Sequence, residues 1–142
     1  DLKGIDFMRK MLILARDAGY AIEPESVKLG SILPEACLNA PSVDDFYREL
    51  EAASDYFEDL KAKAHQENKV LRYIGKLEEG QVTIGLELVD ADHPFYALSG
   101  SDNIISFTTE RYKERPLVVK GPGAGAEVTA AGVFADLVNV GA

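Results

Sequence analysis

An aspartate and a lysine four residues apart, Asp6 and Lys10, sit in a stretch where eight of the eleven residues from Ile5 to Ala15 are apolar. Helical spacing puts both on one face. At roughly 100° per residue, Asp17 returns to nearly the same azimuth. A helix that is apolar almost all round reads as buried. Charges on such a helix are costly unless they pair or serve a purpose. One reading is a structural ion pair. The other is a carboxylate and an ammonium held rigidly at the edge of a substrate pocket.

A second group with chemical potential is the glycine-rich stretch GPGAGAEVTAAG. Gly121, Gly123 and Ala126 fit the loose G-x-G-x-x-A form, with Gly125 between them. They follow a predicted strand and open a predicted helix, the context of a phosphate-binding turn. Backbone N–H groups at a helix N-terminus favour an anion. A dinucleotide fingerprint, however, opens a unit with a second strand and an acidic ribose ligand. Only 16 residues follow Ala126, so this is not the start of such a unit. From pattern alone, a tight strand-to-helix turn explains the glycines. The remaining polar groups are less specific. His65 and His93 have no Cys or carboxylate partner at a metal-ligand spacing, so no metal site is expected. Cys37 stands alone and reads as a small structural residue. Ser99, Ser101, Asp102 and Asn103 form a polar loop that turn chemistry explains as well as a pocket rim does. There is no nucleophile elbow and no P-loop.

The elements that must position these groups run as follows. The first helix spans about Gly4 to Ala18, with Gly19 as a stop. Val27 to Leu33 reads as a short strand ending in a Pro34 turn. Ser42, with Asp45 three residues on, caps a helical region. Val43, Phe46, Tyr47, Leu50, Ala53, Phe57, Leu60 and Ala64 form one stripe at helical spacing, as one helix or as two broken near Ala53. From Val70 the period becomes two. Val70 to Leu77 is a strand, Glu79-Gly80 a tight turn, and Val82, Ile84, Leu86 and Leu88 alternate along a second strand. Short strands are expected at Phe95 to Leu98, Ile104 to Thr109 and Leu117 to Lys120, and a final helix at Glu127 to Asn139. Helices first, then a sheet, then a helix is an α+β order. The expected fold is a mainly antiparallel or mixed sheet packed against helices.

The 142 residues suit one domain with a real core. Forty-six per cent are hydrophobic and 27% charged, as in a soluble globular protein. A net charge of −9 argues against nucleic acid and anionic membranes. The single cysteine points to a reducing compartment. No apolar run approaches the ~20 residues that span a membrane, and no signal peptide is visible. Opening without Met and almost directly in a helix, the chain reads as a piece of a larger protein.

GIDFMRKMLILAR resembles the G-x-D-V-A-R-K-hydrophobic helix of homoserine dehydrogenases, especially those fused to an aspartate kinase. LSGSDNIISFTTERY and PLVVKGPGAGAEVTAAGVFADL resemble the tail of the same family, with RYIG between the two ends. The resemblance covers essentially the whole chain, and Ala21 to Asn68 match in character only. Phe7 and Met8 stand where the family has smaller residues, which bears on packing.

The resemblance implies a fragment of an enzyme that interconverts L-homoserine and L-aspartate 4-semialdehyde with NADP or NAD, on the route to threonine and methionine. It implies Lys10 as the catalytic acid/base, Asp6 as a substrate ligand that also positions Lys10, and Asp1 as a further substrate contact. A buried lysine with a lowered pKa suits the role given to Lys10. It implies cofactor contacts at Gly125 and Gly123. Residues 1–125 would be the substrate and dimerisation domain, with a helical segment over 43–68. Residues 126–142 would be a helix returning to an absent Rossmann domain. Further implied are a homodimer through the sheet, an absent N-terminal nucleotide domain and an aspartate kinase domain. A cytoplasmic or plastid location follows, with no cofactor held by this piece alone. A reading from another class is a non-catalytic amino-acid-binding or oligomerisation module. A poised ammonium beside Asp6 distinguishes the enzyme from the module.

Overall fold

The apolar stretch at the start becomes helix α1 (Ile5–Asp17). The computed structural model describes residues 2–141. Asp6 in the first turn and Arg16 in the last complement the helix dipole. Gly4, at φ 70°, leads the chain in without a side-chain cap. At the other end Tyr20 N–H donates to the Ala15 carbonyl and Gly19 N–H to that of Arg16, both at 2.9 Å. With Gly19 at φ 90° this is the expected glycine stop. The expectation of burial all round is corrected. Met11, Leu12 and Ala15 are buried, whereas Ile13 is 60% exposed. A helix lying on one sheet covers one face only, and Ile13 lies on the face turned to solvent.

That sheet is built on a hairpin. β2 (Val70–Glu78) and β3 (Gln81–Val89) pair antiparallel from Val70↔Val89 to Glu78↔Gln81. Glu79 and Gly80 both take positive φ, the turn whose twist suits a two-residue hairpin. β1 (Lys28–Leu29) adds to β3 in parallel, giving the order β1-β3-β2. The strand expected over Val27 to Leu33 therefore shrinks to two residues. Gly30 N–H still reaches the Ile84 carbonyl at 2.7 Å. Then the Ser31 hydroxyl binds both the N–H and the carbonyl of Leu33, which ends the ladder.

Pro34 is followed by a short helix, α2 (Glu35–Leu38). The long amphipathic segment is two helices, α3 (Val43–Ala52) and α4 (Ser54–Gln66), broken at Ala53. Ser42 accepts a hydrogen bond from the Asp45 N–H at 3.1 Å, as its cap role requires. Asn68, at φ 53°, closes α4 as Lys69 N–H donates to the Ala64 carbonyl at 2.8 Å.

Alternation sends Val82 and Ile84 toward α1, where they join Met11, Leu12, Ala15 and Ile22 in one core. Thr83, Gly85 and Glu87 point the other way. That second face is partly covered. Ile74 and Val89 lie on it and are buried, and α4 packs along β2. Its open part carries a Lys76–Glu87 ion pair at 2.6 Å.

The chain divides into two compact units, and this first one ends at Asp90. The second unit holds an antiparallel pair, β4 (Asp102–Phe107) and β5 (Leu117–Pro122), and helix α5 (Ala126–Gly141). Phe95 to Leu98 is not a strand. Tyr96 N–H donates to the His93 carbonyl, Leu98 N–H to that of Phe95, and Phe95 N–H to the His93 ring. Backbone donors satisfied so locally are withdrawn from a ladder. The architecture is the expected α+β, with one mixed sheet and one antiparallel pair.

The burial pattern of α1 sets a sharp contrast between neighbours. Leu12→Ala should destabilise the chain by about 2–5 kcal/mol, the usual scale for emptying a core leucine site. Ile13→Ala should leave stability close to the parent. Equilibrium urea unfolding of both variants checks the pair, and equal losses would mean that α1 does not lie on this face.

Candidate functional site

α1 holds Asp6 and Lys10 by packing the residues beyond them. Met11, Leu12 and Ala15 anchor the helix on β2 and β3, so the face bearing the charges is fixed by the core beneath it. The Lys10 ammonium donates to Asp6 Oδ2 at 2.8 Å. The two side chains are 61% and 59% exposed. The expected buried pair is therefore corrected, because both groups stand on the face that the sheet does not cover. An exposed pair of this kind contributes little to stability.

The hydrogen bond from Lys10, and then its charge, hold the Asp6 carboxyl below its usual value, with a smaller effect from Arg9. At neutral pH Asp6 is thus an ionised carboxylate held against Lys10. The pair presents an acceptor and a proton donor side by side on a rigid helix. Asp1, the other expected substrate contact, lies outside the described residues.

Gly123 and Gly125 belong to the second unit, in the turn between β5 and α5. Gly123 is demanded by close approach. A Cβ there would stand 1.4 Å from Nδ2 of Asn103, so the side chain at the start of β4 occupies that space. Gly125 takes φ 139°, and a Cβ on it would meet nothing within 4 Å. Its carbonyl accepts from Thr129 N–H at 3.1 Å, which makes it the first residue of the α5 ladder. The turn thus offers bare backbone in front of a helix N-terminus, a form that suits a phosphate.

Two residues near these groups carry more than their sequence signal suggested. Asn103 was legible only as part of a polar loop, yet it interlocks with Gly123. Tyr73 was legible only as one residue of the predicted strand Val70 to Leu77. Its hydroxyl donates to the Gly30 carbonyl at 2.9 Å. Burial raises its pKa. Among the described residues, no three His, Cys, Asp or Glu side chains are grouped to hold a metal ion. Two surface concavities of about 490 and 480 Å³ lie over Glu110 to Arg115 and beside His65 and Lys69, and neither includes Asp6 or Lys10. Among the described residues, no helix is long and apolar enough to cross a membrane.

The family model of homoserine dehydrogenase matches residues 1–138. The chain is 45% identical to the chloroplastic bifunctional aspartokinase/homoserine dehydrogenase 2 of Zea mays, over 99% of this chain and 16% of that protein. It is also 45% identical to the homoserine dehydrogenase of Saccharomyces cerevisiae, over 99% of this chain and 40% of that one. Among solved structures, a Candida auris protein of unknown function superposes with a TM-score of 0.89 at 44% identity, over 99% of this chain and 40% of the other. A homoserine dehydrogenase from S. aureus shares the fold, with a TM-score of 0.67 at 23% identity, over 99% of this chain and 31% of that one. The chain therefore spans well under half the length of these relatives.

The lowered carboxyl of Asp6 yields a direct test of the pair. Lys10→Met should raise the Asp6 pKa back toward the ordinary value near 3.9. The sign for stability follows. A depressed folded-state pKa adds stability above the unfolded value, and this is lost as pH falls through the folded one. Lys10→Met should therefore flatten the pH dependence of unfolding in the acid range. Carboxyl carbon titration by NMR reads the Asp6 midpoint, and an unmoved midpoint would mean that the ion pair is not populated in solution.

Proposed function

Because the chain belongs to the homoserine dehydrogenase family, we propose that it is the substrate-binding and dimerisation part of an NADP- or NAD-dependent homoserine dehydrogenase. Such an enzyme interconverts L-homoserine and L-aspartate 4-semialdehyde in threonine and methionine biosynthesis. The observation that carries this reading is the Asp6–Lys10 pair at 2.8 Å on a helix anchored in the core.

The chemistry assigns each group a task. In the reducing direction, the Lys10 ammonium donates a proton to the carbonyl oxygen as hydride reaches the aldehyde carbon. In reverse, the neutral amine takes the hydroxyl proton. Asp6 accepts hydrogen bonds from the substrate amino or hydroxyl group and keeps Lys10 in place when the substrate arrives. Asp1 is proposed as a further substrate contact. The ammonium stands exposed in this chain, and closure of the site by the nucleotide domain would withdraw it from water. That withdrawal strengthens each electrostatic contact.

The nicotinamide cofactor, when bound, supplies or accepts the hydride. Gly125 and Gly123 are the residues proposed to approach it. Support comes from the open backbone at Gly125 and from the helix start behind it. Residues 126–142 are proposed to belong with the nucleotide-binding domain of the longer enzyme, to which α5 would return. The apolar surface of α5 supports this, with Phe134 68% and Leu137 66% exposed, since apolar area of this kind is normally buried by a partner surface. Fusion to an aspartate kinase, and a cytoplasmic or plastid location, belong to the same proposal.

The acid/base assignment is checked in the longer enzyme that carries this chain. Lys10→Ala should lower kcat about 10²- to 10⁴-fold, the scale of general acid–base catalysis. The thermal midpoint should hardly move, since Lys10 is not a core residue. Near-normal turnover would sink the assignment.

Association is the second test. We propose that two copies meet through the open face of the sheet, where Thr83 and Gly85 alternate away from α1. Thr83→Glu together with Gly85→Glu should then convert dimer to monomer by light scattering. A double variant that stays dimeric would place the contact elsewhere.

A further inference from the structure

The first turn of α1 is the part of the helix least held by the core. All three buried residues, Met11, Leu12 and Ala15, lie beyond Lys10. Among the described residues, no side chain caps the N-terminus. Ile5 and Asp6 are exposed, and Phe7 and Met8 are only partly buried. Yet the proposed chemistry needs Asp6 and Lys10 fixed to within a fraction of an ångström, since a misplacement of about 1 Å can cost 10²-fold in rate.

One side chain fills that gap. The Tyr73 ring lies 5.6 Å from the ring of Phe7, tilted by 41°. The Tyr73 hydroxyl touches the backbone where α1 begins, because a Cβ on Gly4 would stand only 2.4 Å from it. The same hydroxyl donates to the Gly30 carbonyl at 2.9 Å. Gly30 in turn is tied to β3 through its N–H bond to the Ile84 carbonyl at 2.7 Å. A single oxygen on β2 thus gauges the start of α1 against the end of β1. Gly4 serves this contact twice. It adopts φ 70°, which disfavours any side chain, and it leaves the space that the hydroxyl enters.

We propose that Tyr73 is a positioning residue for the Asp6–Lys10 pair: its hydroxyl, seated between Gly4 and the Gly30 carbonyl, sets the first turn of α1 and so the place of Lys10 against the substrate. The inference rests on the acid/base reading of Lys10. Burial raises the Tyr73 pKa, so the hydroxyl remains a donor throughout the working pH range.

The experiment uses the longer enzyme with homoserine and nucleotide as substrates. Tyr73→Phe keeps the ring against Phe7 and removes only the oxygen. It should lower kcat about tenfold. KM for the nucleotide and the far-UV spectrum should stay unchanged. Gly4→Ala drives a Cβ onto the hydroxyl and should lower kcat further. Gly4→Ala in the Tyr73→Phe background should do less harm than it does alone, because the opposing atom is gone. A merely structural hydroxyl would lower the melting temperature and leave kcat of the folded enzyme intact. Wild-type kcat in Tyr73→Phe overturns the proposal, and so does strict additivity of the two substitutions. Should Gly4→Ala not fold, Tyr73→Phe alone decides. Lys10→Ala run in parallel separates the two claims. If Lys10→Ala is inactive and Tyr73→Phe is unimpaired, only the positioning role fails. If Lys10→Ala turns over normally, the acid/base reading itself fails.

Discussion

The seat of α1 on the β2–β3 hairpin is the contact on which the rest of the first unit depends. One close point is Met11 over Gly75, where a Cβ would lie 2.7 Å from the methionine sulfur. A side chain at position 75 would force the Met11 side chain out of its place on the sheet. With only hydrogen there, Met11, Leu12 and Ala15 settle on Val82 and Ile84 and exclude water from both elements. Burial of this kind is non-directional, so it brings the helix down but does not fix its first turn. We assign that task to the Tyr73 hydroxyl, which sits against Gly4 while it donates to the Gly30 carbonyl.

The division of labour explains an arrangement that looks paradoxical from the standpoint of stability. The groups proposed to do the chemistry, Asp6 and Lys10, are on the exposed face of a helix whose other face is core. An exposed ion pair adds little to the fold. In exchange it leaves a lysine and a carboxylate accessible from solvent, on a helix seated on the sheet through its other face. The glycine turn follows the same logic in the second unit. Asn103 wedges beside Gly123, while Gly125 keeps its backbone bare in front of α5. In each case a packed neighbour sets the geometry, and the face proposed to react or bind is left open.

The surface of α5 is largely apolar. α5 presents Val133, Phe134, Leu137 and Val140 to solvent, and among its described residues none is buried. The chain covers 16% of the maize relative and 40% of the yeast one. An apolar helix with no cover of its own, in a chain so much shorter than its relatives, matches the proposal that the rest of the enzyme supplies that cover.

Much of this was determined by the sequence alone, wherever the cause is local. Gly19 ends α1, Ser42 caps α3, and Glu79-Gly80 closes the hairpin because each conformation depends on a few adjacent residues. The alternation of Val82 and Ile84 assigned the core face for the same reason, since a strand's period is a property of its own backbone. The motif helix also placed Asp6 and Lys10 within reach, because four residues make about one turn. What only the tertiary structure decided was every quantity that needs a second element. Apolar composition suggested a helix buried all round, but burial is a relation between surfaces, and one sheet covers one face. Val27 to Leu33 and Phe95 to Leu98 have strand-like composition, yet Ser31 and His93 capture the backbone first. Tyr73 gives no sign in the sequence that it touches Gly4 and Gly30, 69 and 43 residues away. Contacts at that separation are created by the packing of α1 and β1 around one strand, and no local pattern encodes them.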